Sequence, residues 1–273
     1  MKRRVGLMTV VMFLLFLSVV PLSAQEVSAQ FPAVIVPNTQ IIPFTSKITS
    51  HDYWLSVALP DSYGSSEQTY PVLYLLDPSF SFLTATEFAR FMAFTSVFPE
   101  LIIVGIGYPA DKNVFEARSL DYGLQDDFLD FISTELIPLI DSSYRTNPAD
   151  RALVGYQVGG DFLFHTLVNK PELFNRYIAI YSAAADLMPY LMRNDKTFRS
   201  WFVGRDVRLF IAEQGTAILS AAIQKRAYEG LTVSGLSLAS DMREPTLHLS
   251  LPAGLLAIYC GESACARETG LLD

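Results

Sequence analysis

At 273 residues, with 20 basic and 28 acidic side chains and a net charge of −8, the chain is acidic enough to argue against nucleic acid or an anionic membrane as a partner. Its apolar share of 51% suits one α/β domain with parallel strands buried on both faces. Three histidines and two cysteines show no metal-ligand spacing, and no cofactor motif is present, so neither a metal nor a cofactor is expected.

Residues 1–24 read as a secretory signal. Lys2, Arg3 and Arg4 precede an apolar core, and Leu22-Ser23-Ala24 or Val27-Ser28-Ala29 offers small residues for cleavage between 24 and 29. The competing reading is a membrane anchor. Gly, Thr, Ser and Pro within 5–22 make that stretch marginal as a span, and no Cys follows it to carry a lipid. Removing residues 1–24 takes away three basic residues, leaving 17 against 28 acidic ones and a charge of −11. A periplasmic or secreted protein without a stable membrane span is expected, with one domain over 31–260 and a tail over 261–273.

Two strands are expected at 41–48 and 53–59, antiparallel and at a sheet edge. A central apolar strand follows at 70–76, ending at Asp77-Pro78, then a helix over 84–97 and a buried strand at 101–106. From 124 to 140 apolar positions recur at helical spacing, with Asp126 and Asp127 in the first turn and Pro138 expected to bend or end the helix. Beyond the segment at 150–182 come a looser stretch over 187–203, read as a lid-like insertion, and a strand at 207–212. A helix at 219–228, a strand at 231–238 and a closing helix at 252–259 complete the domain. Cys260 and Cys265 either close a small disulfide loop, which Gly261 would permit, or stay apart, as a continuous helix would require.

The segment 150–182 organises the rest. A buried strand ends at Gly155, Tyr156-Gln157-Val158 turns sharply, Gly159 and Gly160 open an apolar helix, and a second strand follows at 177–181. This is the frame of a nucleophile elbow, G-x-S-x-G, with Gln157 where the serine belongs.

The chain resembles the esterase D and enterochelin-esterase-like branch of the α/β-hydrolases. Tyr70-Pro-Val-Leu-Tyr-Leu-Leu-Asp77, Leu101-Ile-Ile-Val-Gly-Ile106, the stretch 128–140, Tyr144-Arg145-Thr146, the elbow and Lys170-Pro-Glu-Leu-Phe174 carry the likeness, collinear over roughly 40–260. The resemblance implies an α/β-hydrolase fold, a mostly parallel sheet flanked by helices, and hydrolysis of carboxylic esters by a Ser–His–acid triad. The branch's Gly-His-Ser-x-Gly-Gly reads here Gly155-Tyr156-Gln157-Val158-Gly159-Gly160. His248 stands where the resemblance places the base, just before the closing helix, and Glu213, weakly, where it places the acid. Val158 would lend its N–H to the oxyanion hole, and Arg118 falls where the branch carries an Arg-containing loop.

An amide is a poor nucleophile because its nitrogen lone pair is delocalised, so the usual serine mechanism is excluded. Ser182 and Ser250 are the substitutes to weigh, although neither lies in an elbow frame. The expected role is a family member without Ser-dependent hydrolysis that serves ligand binding or interaction through the cleft beneath 187–203, with a small acyl or ester-like molecule as the ligand to expect; the alternative is a weak hydrolase using another nucleophile. Asp77 is read as a turn stabiliser, His165 as a packed histidine, His51 as flanking a strand, and Arg118 as either a salt-bridge partner or a ligand contact.

Overall fold

The computed structural model describes residues 35–123, 125–182, 187–214, 218–239 and 246–260, without the side chains of 187–192. The expected signal, the tail and Cys265 lie outside these residues. The unit from Asn38 onward carries the fold.

Continuous apolar runs become the middle of a sheet. β3 (Tyr70–Leu76) and β4 (Ile102–Gly107) are buried at every position. Alternate side chains serve opposite faces, Tyr74 and Val104 one core and Leu73, Leu75 and Ile103 the other. With β1 (Thr39–Thr45), β2 (Asp52–Ala58), β5 (Thr146–Tyr156), β6 (Arg176–Ile180), β7 (Val207–Gln214) and β8 (Leu231–Leu238), the order is β1-β2-β4-β3-β5-β6-β7-β8. β1 and β2 are antiparallel and form the expected edge, β2 joins β4 antiparallel, and the other described pairings are parallel. This is a mostly parallel sheet of the α/β-hydrolase type, as expected.

Helices α1 (Pro78–Phe94) and α8 (Thr246–Tyr259) pack on one face, where Leu247, Leu251 and Leu255 meet Ile178 and Phe210. On the other lie α3 (Gln125–Phe131), α4 (Ile137–Ser143) and α5 (Val158–Asn169), with Phe128, Phe131 and Phe162 in the aromatic core around Tyr53 and Tyr122. The stretch read as one helix over 124–140 runs on in helical conformation from Gln125 to Ser143, through a π-helical turn at Ile132–Leu136 in which the Ile137 N–H donates to the Ile132 carbonyl. Pro138 comes just after that turn, and the helix does not end at it.

Three further boundaries move. α1 starts directly after Asp77, because Pro78 suits the first helical turn. The expected Arg118 loop is a helix, α2 (Val114–Gly123). α8 begins at Thr246, so His248 lies in its first turn and Pro252 within it. In the 187–203 segment, α6 (Leu187–Ser200) anchors its second half in the core. Phe198 and Phe202 are fully buried there and pack edge to face against each other. Cys260 is disulfide-bonded.

Candidate active site

Parallel strands deliver their carboxyl ends, and the turns that follow, to one edge of the sheet, where open α/β sheets place their ligands. That edge gathers Asp77 after β3, Gln157 after β5, Ser182 after β6 and Glu213 at the end of β7.

Gln157 holds the elbow conformation, with φ 52° and ψ −121°. Its N–H donates to the Ile180 carbonyl at 2.9 Å, and its own carbonyl accepts from Gly160 and Asp161 at 2.8 and 3.1 Å, which starts α5. Such tight closure leaves no room for side chains around it. A Cβ on Gly155 would lie 2.1 Å from the Gly159 carbonyl oxygen, and one on Gly160 would lie 2.8 Å from Ser182 Cβ. A non-glycine residue in this region stores about 1–3 kcal/mol of strain. Gln157→Gly is therefore expected to raise stability by about 1 kcal/mol, since strain relief exceeds the added unfolded-state entropy. A denaturant midpoint that falls instead would show an unstrained elbow.

The two departures from the esterase pattern are joined. Gln157 Nε2 donates to the Tyr156 hydroxyl at 3.1 Å, so the amide is tethered to the residue that replaces histidine. Val158, 41% exposed, opens α5, and its N–H has no partner within the helix. A backbone N–H left over by the helix start thus sits beside an amide side chain.

Beneath the elbow lies a buried ion pair. Arg118 donates from Nε and Nη2 to the two Asp77 oxygens, each at 2.7 Å, and from Nη2 to the Tyr156 carbonyl at 3.1 Å. The Tyr122 hydroxyl adds a bond to Asp77 at 3.2 Å. Asp77 is 1% and Arg118 6% exposed. Burial pushes the Asp77 carboxyl above its ordinary range, while the Arg118 bonds pull the other way. Burial opposes the Arg118 charge too, and Asp77 more than offsets it. Both residues brace the elbow; for Arg118 this is the salt-bridge reading.

The remaining triad positions do not converge. His248 is exposed, and its Nδ1 faces the Thr84 hydroxyl on α1 at 3.2 Å. Glu213 accepts the N–H groups of Leu219 and Ser220 at 2.8 and 3.0 Å and the Ser220 hydroxyl at 2.6 Å, capping α7 (Ile218–Gln224). Among the described residues no hydrogen bond joins Gln157, His248 and Glu213. Ser182 sits against Gly160 and donates to the Asp161 carboxylate at 2.5 Å, whereas Ser250 is fully buried. His165 packs on Phe162 and bonds Asp126 at 2.9 Å, as a packed histidine should.

A second cluster on the same edge escaped sequence reading. His51, just before β2, places Nδ1 2.7 Å from Asp121 Oδ1, and the Tyr108 hydroxyl donates to Oδ2 at 2.9 Å. The signal was the three-residue spacing of Arg118 and Asp121, one helical turn, legible only once α2 is known to be a helix.

The model of the Esterase family, described as Putative esterase, matches residues 46–227, which span β2, the elbow and α7. This chain belongs to the Esterase family. Among relatives of the Esterase family it is similar to Ferri-bacillibactin esterase BesA of Bacillus subtilis, 28% identical over 193 residues, which cover 62% of this chain and 66% of that protein. Siderophore triacetylfusarinine C esterase of Aspergillus fumigatus is 37% identical over 124 residues, 40% of this chain and 42% of that protein. The chain thus spans just under two thirds of the first relative's length and less than half of the second's. The crystal structure of BES protein from Bacillus cereus superposes with a TM-score of 0.75 at 20% identity, over 86% of this chain and 99% of that one, which shows the shared fold.

Proposed function

We propose that this member of the Esterase family is an exported protein that has lost Ser-dependent hydrolysis and binds an ester-bearing, siderophore-like ligand at the elbow. The observation that carries this reading is Gln157 in the nucleophile's strained conformation, its amide tied to Tyr156. A backbone strained for attack, kept without an attacking group, fits a site retained for binding. Phe80 and Phe115 support a flat or acyl-bearing ligand: their rings lie 6.0 Å apart and are 39% and 64% exposed. They stand three residues from Asp77 and Arg118 respectively, the ion pair that braces the elbow. The compounds that the relatives are named for, ferri-bacillibactin and triacetylfusarinine C, supply the ligand class.

The test uses those two compounds. Calorimetric titration of the purified mature protein should show saturable binding, and chromatography after incubation should recover the ester intact. Val158→Trp, which fills the mouth at an exposed position, should weaken binding about tenfold. No binding of either compound, or hydrolysis at the rate of a competent esterase, overturns the proposal. N-terminal sequencing of exported material checks removal of residues 1–24.

A second reading has one observation behind it, the Ser182–Asp161 contact beside Gly160. There a serine hydroxyl would attack the ester with a carboxylate as base. A carboxylate is ordinarily a far weaker base than imidazole, so this arrangement supports slow turnover at best. Loss of residual hydrolysis in Ser182→Ala, with ligand binding kept, would favour it.

A further inference from the structure

His51 belongs to no part of the elbow. Its partner Asp121 is 1% exposed and has both oxygens engaged, by His51 Nδ1 and by the Tyr108 hydroxyl. A carboxylate accepts hydrogen bonds and cannot give one, so it fixes the imidazole with its proton on Nδ1. In the neutral ring Nε2 then carries the lone pair. The His51 side chain is 32% exposed and lines a cavity of about 320 Å³. Tyr108, Ala117 and Leu120 line it too, as do Lys112, Glu116 and Asp52. Gln157, Tyr156 and His248 do not line this cavity.

We propose that this cavity is a second binding site, for a small neutral molecule that carries a hydroxyl on an apolar body, with the hydroxyl donating to His51 Nε2. Several features select that chemistry. A lone pair held by a buried carboxylate calls for a donor. Asp52 and Glu116 outnumber Lys112 on the walls, which disfavours an incoming anion. Tyr108, Ala117 and Leu120 suit a flat hydrocarbon body, and the volume lies at the small end of ligand pockets. The cavity beside Arg90 and Glu100, by contrast, is lined by residues from the amino end of β4, at the opposite edge of the sheet.

With three histidines in the chain, nitrogen-15 labelling of histidine alone gives a spectrum that single substitutions assign. With the ring neutral, the His51 signals of the free protein should show a protonated Nδ1 and a bare Nε2. Added phenol should move the Nε2 signal saturably and leave His165 and His248 in place. Anisole, which keeps the ring and lacks the donor, should not move it. Ala117→Leu, a half-buried wall position, should weaken phenol binding about tenfold, and Gln157→Ala should leave it unchanged. A static His51 signal, an equal response to anisole, or a response that survives Ala117→Leu unaltered overturns the proposal. A response confined to His248 does so as well, since it would place the phenol near α1 and α8. The site stands or falls apart from ligand binding at the elbow, which Gln157→Ala and Val158→Trp report.

Discussion

Arg118→Ala is expected to destabilise the fold by about 3–5 kcal/mol, the range for removing one partner of a buried ion pair. The substitution leaves Asp77 in a site that is 1% exposed with only the Tyr122 hydroxyl and its own turn around it. It also takes a donor from the Tyr156 carbonyl, one residue before the elbow. For a domain of this size the melting temperature should fall by on the order of 10 °C. A double variant separates the pair from the space it fills. Asp77→Asn tolerates the left-handed backbone at this position, φ 58°, and Arg118→Met keeps much of the volume. Because replacing both partners removes the stranded charge, the double variant should recover a large part of the loss. Denaturant unfolding of the single and double variants decides the matter. An Arg118→Ala protein as stable as wild type, but weaker in ligand binding, would make Arg118 a ligand contact and leave the elbow braced by other means.

This ion pair also marks where sequence reading stopped. The sheet was legible because β3, β4 and the end of β5 are unbroken apolar runs, and buried parallel strands need nothing else. The elbow was legible because its glycines answer to atoms a few ångströms away along the chain, as Gly155 does to the Gly159 carbonyl. α2 was not, for a physical reason: the residues it buries are Arg118, Asp121 and Tyr122, while Phe115 and Leu120 stay exposed. A periodicity scan looks for apolar residues on the inner face and finds the reverse. The charges became buried because each meets a partner 41 or 70 residues away in sequence, Asp77 for Arg118 and His51 for Asp121. Such pairing leaves no trace in local pattern. Glu213 was similarly ambiguous. A carboxylate at the end of a strand serves as a triad acid or as a cap for the next helix, and the donors at Leu219 and Ser220 draw it to the second role.

Gln157→Ser should do little for catalysis, although it restores the nucleophile. A complete serine triad is worth about 10⁶ in turnover, and an oxyanion hole with substrate binding alone about 10³ over water. The difference depends on an imidazole within hydrogen-bond reach of the hydroxyl and on a third group to orient it. Here His248 turns its Nδ1 to Thr84, and the Glu213 carboxylate is spent on the first turn of α7. A serine at 157 would therefore meet no positioned base. Its neighbour Tyr156 supplies a phenol hydroxyl where the family pattern has histidine. Wild type and Gln157→Ser should turn over p-nitrophenyl acetate within about tenfold of each other, and adding His248→Ala to the serine variant should change nothing further. A His248-dependent gain on the order of 10³ would mean that the histidine leaves Thr84 once a hydroxyl is offered. The site would then lack only its nucleophile. Without that gain, the loss runs through nucleophile, base and acid together, and single reversions at any one of the three are expected to stay silent.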